Sequence, residues 1–117
     1  MLLSTDQKEV QLTFESLQPF DTVVLRTHNS DYRILLLDPK TGRALVEGGQ
    51  LVAEPTEAFL CGSRLHGPTF KPDTIAIGHR LEMWIGEMIV STSAIQSISV
   101  TAHDAAESKL IDTVAVH

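Results

Sequence analysis

Thr22-Val23-Val24-Leu25-Arg26-Thr27, then His28-Asn29-Ser30-Asp31, then Tyr32-Arg33-Ile34-Leu35-Leu36-Leu37-Asp38 is the stretch whose reading decides the fold. Two runs rich in β-branched and large apolar residues flank four polar residues that tolerate tight-turn geometry, and this pattern predicts a β-hairpin. Ile34 to Leu37 is apolar at consecutive positions, so both faces of that strand are expected to be covered and the strand to lie centrally. Asp38-Pro39-Lys40-Thr41-Gly42 follows as a turn, because proline fixes φ early and glycine supplies a positive φ later. The chain then returns through Arg43 to Glu47.

Working outward, Val10, Leu12 and Phe14 alternate with polar neighbours, which fits a half-buried strand within residues 5–15. A helix is the rival there, since Ser4 and Gln7 have capping-box spacing. Gly48-Gly49 predicts a bulge or sharp bend with Leu51 to Ala53 continuing beyond it. Thr56 to Leu65 reads as a strand of weak alternation, and His66 to Asp73, with two prolines and a glycine, as the longest loop. Thr74 to Ile77 and Arg80 to Ile85 read as one strand interrupted at Gly78. Gly86-Glu87 has the form of a two-residue hairpin loop, and Met88 to Thr92 is the returning strand. Ile95 and Ile98 are three apart, which predicts one helical turn over 93–98 before a closing strand at Ser99 to Thr101. Leu110 to Val116 has the pattern of an added strand.

The expectation is an all-β or nearly all-β chain: a small, partly open, SH3-like β-barrel with a one-turn helix before the closing strand. It is expected to be a single domain over 1–117, with its core at about 17–101 and an acidic tail at 102–117. Leu25-Arg26-Thr27-His28-Asn29-Ser30, Leu36-Leu37-Asp38-Pro39 and Val46-Glu47-Gly48-Gly49 resemble a group of short uncharacterised bacterial proteins. The resemblance covers roughly residues 17 to 100 and implies no activity, cofactor or site residue.

Charge narrows the partners. Lys and Arg number 9 against 15 Asp and Glu, for a net −6, and the first twenty and last seventeen residues each contribute −2. No cluster of cations suits a phosphate backbone, so nucleic acid is not an expected partner. No apolar run exceeds the four residues of Ile34 to Leu37, far short of the roughly 20 residues of a membrane span. Cys61 is the single cysteine, which excludes an intramolecular disulfide and points to a reducing, cytoplasmic location.

Chemistry-bearing motifs are sparse. His28, His66, His79, His103 and His117 form no closely spaced ligand pair, so no metal or cofactor is expected. His28 reads as a turn residue and His79 as a surface partner of Glu82. Cys61 precedes His66 by five positions without any pattern of a known catalytic cysteine, which leaves a cysteine-dependent hydrolase as the third-ranked function. Arg64, His66 and Lys71 occur in an acid-free stretch, 62–72, of an acidic chain, a composition suited to an anionic ligand. Trp84 shares the parity of Glu82, opposite Leu81, Met83 and Ile85, and is therefore expected on the outer face of the sheet as an interface residue. The leading expectation is a non-catalytic interaction or assembly module, a homo-oligomer or the partner of another protein. An anion binder is the alternative.

Overall fold

The computed structural model describes residues 10–49, 52–102 and 109–112. Its strands are β1 (Gln11–Thr13), β2 (Thr22–Thr27), β3 (Asp31–Asp38), β4 (Arg43–Gly48), β5 (Val52–Arg64), β6 (Phe70–Pro72), β7 (Thr74–Ala76), β8 (Arg80–Ile85), β9 (Met88–Thr101) and β10 (Lys109–Asp112). A short 3-10 turn, Phe14–Ser16, follows β1. Residues 5–9 of the expected first strand, Leu51, and the tail positions 103–108 and 113–117, with His103 and His117, lie outside the described residues.

The expected hairpin forms, with Val23 opposite Ile34 and Leu25 opposite Tyr32. β3 lies between β2 and β4, but only one of its faces is fully covered: Ile34 and Leu36 are buried, whereas Leu35 and Leu37 are half-buried. From there the antiparallel order runs β2-β3-β4-β5-β8-β9 and returns to β2, so the sheet curls into a small barrel. The two longest strands make the return possible. β5 pairs with β4 over Val52 to Phe59 and with β8 over Phe59 to Arg64. β9 pairs with β8 over Met88 to Ala94 and with β2 over Ile95 to Thr101. β6 and β10 extend the edges of β5 and β9, while β1 and β7 form a separate two-stranded ribbon.

Alternation supplies the core. Val23, Leu25, Ile34, Leu36, Val46, Leu60, Leu81, Met83, Ile95 and Ile98 are all buried inside the ring. Leu12, Phe14, Leu17 and Ile75, from the ribbon and its flanks, join the same cluster. Each such side chain removed from water is worth about 1.5–3 kcal/mol.

Several expectations are corrected, each for a physical reason. Residues 93–98 are strand rather than a helical turn. The register shifts between Ile95 and Ser97, and the extra residue turns two isoleucines three apart onto the same inner face, at 1% and 0% exposure. Gly48-Gly49 reverses the chain instead of bending it onward, since Val52 pairs back on Gly48. Pro55 falls where that ladder is interrupted between Val46 and Gly48, the kind of place a residue without an N–H can occupy. The loop after Arg64 is shorter than expected, because Phe70 to Pro72 pairs with Gly62 to Arg64. Thr74 to Ala76 and Arg80 to Ile85 are separate strands on different partners. Gly86, at φ 62°, does begin a two-residue loop between paired Ile85 and Met88. No helix among the described residues is long and apolar enough to cross a membrane.

The β3–β4 turn packs its backbone closely against β5. Leu60 N–H donates to Gly42 O at 2.8 Å, and a Cβ on Gly42, at φ +82°, would stand 2.3 Å from Leu60 O. Gly78 has a similar φ of +87° but faces open space. Gly78→Ala is therefore expected to cost about 1 kcal/mol, the left-handed strain alone. Gly42→Ala should cost at least about 3 kcal/mol, because strain adds to a backbone clash. Urea unfolding of the two variants checks this, and equal costs would contradict the packing.

Candidate functional site

The outer face of β5, β8 and β9 carries a row of apolar side chains that the barrel itself does not cover. Phe59 lies directly opposite Trp84, and Trp84 directly opposite Ile89. Their exposures are 43%, 42% and 56%. Inner neighbours Leu60 and Met83 are buried, so the parity that fills the core leaves this row outside. Met88, paired with Ile85, is also exposed but has the opposite parity, so it does not belong to this row. Scattered exposed apolar residues need no explanation, whereas a contiguous cross-strand row does.

Charged pairs border the row. Arg43 lies opposite Phe59, and its Nε donates to Glu57 Oε2 at 2.6 Å. On the other side Arg64 Nε donates to Glu82 Oε2. The Arg64 guanidinium also donates to Gly67 O at 2.9 Å and stacks over the Phe70 ring, 4.8 Å from its centroid. These contacts hold Arg64 in one geometry, and its bond to Glu82 raises its pKa above the ordinary arginine value.

The three cations of the 62–72 stretch are not brought together. Ser63 pairs with Lys71 and Arg64 with Phe70, so Lys71 and Arg64 lie on opposite faces of the β5–β6 hairpin. Lys71 Nζ donates to Gln11 Oε1 at 2.8 Å, on the β1 side. His66 is exposed in the connecting loop. His28 is exposed in the β2–β3 turn, where its backbone N–H donates to Ala94 O at 2.9 Å. His79 is not on the surface with Glu82 but buried at 3% exposure, while Glu82 pairs with Arg64.

Cys61 occupies a register shift between Leu60 and Gly62. The extra residue explains the weak alternation of 56–65, because it lets Leu60 and Ser63, three apart, both face inward. Cys61 itself is half-buried. Burial and the nearby Glu82 carboxylate push its thiol above the ordinary value, against a lowering backbone hydrogen bond at Trp84. That is opposite to the activation a cysteine nucleophile needs. Among the described residues no group of three His, Cys, Asp or Glu side chains could hold a metal ion.

Trp84 is legible from parity as an outward residue, whereas its neighbours in the row come from other strands. Ile89 had an available signal: a two-residue loop at Gly86-Glu87 fixes 84 opposite 89. Phe59 had none, since its pairing with Trp84 joins strands 25 positions apart. Comparison with known proteins adds no relative. No family model matches the chain, and no curated protein or solved structure matches it.

The thiol gives a direct check on this microenvironment. With its pKa raised, Cys61 is expected to react with a disulfide reagent near pH 7.5 at least about ten-fold more slowly than free cysteine. Glu82→Gln should accelerate the reaction, since the removed charge opposes thiolate formation. A wild-type rate equal to that of free cysteine would contradict the assignment.

Proposed function

We propose that this chain is a non-catalytic interaction module that self-associates through the outer face of β5, β8 and β9. The cross-strand row Phe59–Trp84–Ile89 carries the proposal: an aromatic pair and a β-branched side chain in direct register, each more than two-fifths exposed. A tryptophan at the centre of such a row is the residue type that anchors interfaces. The flanking pairs Arg43–Glu57 and Arg64–Glu82 are mutually compensated, so the face is suited to another protein surface rather than to a polyanion. A two-fold contact would set the row against its own copy, the commonest arrangement of homo-oligomers.

The size of the patch sets the strength of the association. The exposed row offers on the order of 300 Å² of apolar surface, at the lower end of the range in which a patch on a monomer is often functional. A standard interface takes about 800 Å² per partner. The polar rim must supply the remainder, so the association is concentration-dependent rather than permanent. The SH3-like description and a reducing, cytoplasmic setting belong to the same proposal. Support comes from the long bent strands shared between two halves of the barrel and from the lone Cys61. An anion site on the 62–72 hairpin has less support, because Arg64 is engaged by Glu82 and Lys71 lies on the other face.

Sedimentation velocity from about 1 to about 200 μM tests the proposal. The wild type is expected to shift from monomer toward dimer across that range, and Trp84→Ser to remain monomeric with an unchanged melting temperature. A wild-type monomer throughout, or a dimer that survives Trp84→Ser, would overturn it.

A further inference from the structure

A second surface, which shares no residue with the Phe59–Trp84–Ile89 row, has the shape and charge of a binding groove. It opens where the 3-10 turn Phe14–Ser16, the β3–β4 turn and the β6–β7 corner meet, and it encloses about 630 Å³. That volume is in the range of ligand sites and far above what one ordered water needs. Phe14 and Leu17 form its floor and belong to the barrel core, at 1% and 7% exposure. Pro19, Pro39 and Pro72 stand around it, fixed in φ and without N–H donors.

Backbone contacts fix the rim. Phe14 N–H donates to Asp73 O and Asp73 N–H to Cys61 O, both at 2.9 Å, which ties the 3-10 turn to the β6–β7 corner and the corner to β5. In the β3–β4 turn Lys40 N–H donates to the Asp38 side chain at 3.0 Å, and Gly42 N–H to Asp38 O at 2.9 Å. A groove held in this way is preorganised, which reduces the ordering cost of binding.

Its charge is one-sided. Glu15, Asp38 and Asp73 line the groove against the single cation Lys40. The carboxylates come from three different elements and do not converge as a metal site. Three separated acceptors around an apolar floor, with prolines that offer no donors, match a ligand carrying several cations with apolar groups between them. We infer that this groove binds an extended basic peptide segment of a partner protein, in which lysine or arginine alternates with an apolar residue. The occupant is a partner of opposite charge rather than a second copy, since this chain has 15 Asp and Glu against 9 Lys and Arg.

The test is fluorescence anisotropy of the full chain with labelled peptides of about nine residues. One alternates lysine and leucine, a second lysine and serine, and a third glutamate and leucine. The lysine–leucine peptide is expected to bind saturably, the lysine–serine peptide about ten-fold more weakly, and the glutamate–leucine peptide not at all. Glu15→Gln with Asp73→Asn should weaken the lysine–leucine peptide about ten-fold at an unchanged melting temperature, asparagine being tolerated at the left-handed φ of Asp73. Trp84→Ser should leave the affinity unaltered, which separates this groove from the self-association face. No saturable binding by the wild type would overturn the inference. So would equal binding of the acidic or the serine peptide, unchanged affinity in the double variant, or loss of binding in Trp84→Ser. If the double variant does not fold, Glu15→Gln alone, on an exposed residue, must weaken binding about three-fold, and unchanged affinity there is equally fatal.

Discussion

Two strands that change partner part-way hold this molecule together. β5 leaves β4 for β8 near Phe59, and β9 leaves β8 for β2 near Ile95. A strand can do this only by bending, and bulges are the device that bends it. The register shifts at Leu60/Gly62, Ser91/Ala94 and Ile95/Ser97 lie close to the changeovers. Each extra residue resets which side chains face inward. Without the shift near Ile95, Ile95 and Ile98 would point to opposite sides of β9, and one would leave the core. The curled sheet and its continuous apolar interior are consequences of the same irregularities.

The surfaces follow from that constraint. Inward parity at Leu60 and Met83 obliges Phe59 and Trp84 to face outward in register, so the exposed row is the complement of the core. The bulge at Cys61 brings Arg64 onto the outer side next to Glu82, where a charged pair borders the row. Buried hydroxyls secure the inner side of the same region. Ser63 Oγ donates to Thr74 O at 2.7 Å and accepts from Ala76 N–H at 3.1 Å, holding β7 against β5. The ribbon of β1 and β7 is thereby fixed beside the ring, and the groove between its 3-10 turn and the β3–β4 turn acquires a rigid wall.

Much of this architecture was legible from local chemistry. The β2–β3 hairpin, the Asp38 to Gly42 turn and the Gly86-Glu87 loop announce themselves through turn residues between alternating runs, because their geometry is decided within a few positions. The bulges within β5 and β9 were not legible. At Ile95 and Ile98 a three-residue spacing is common to a helical turn and to a bulged strand, and only the neighbouring β2 ladder separates them. The short β6 was hidden by Pro68 and Pro72, since its three residues are set by pairing with β5 rather than by propensity. The outward placement of Trp84 followed from parity, whereas its meeting with Phe59 depended on a long-range pairing. The groove lay beyond sequence reading altogether, as its walls come from three segments brought together only by the curled sheet.

The central claim is that the ring returns to β2 through the bulged second half of β9. Native-state hydrogen exchange read by NMR tests it most directly. Amides in the β9–β2 ladder, Val100 and Leu25 among them, should exchange as slowly as those in the central β3 and share the same opening free energy. Cross-strand contacts between the Ile98 and Leu25 backbones should be present. Exchange of the second half of β9 at the rate of a frayed end, with those contacts missing, would contradict the account.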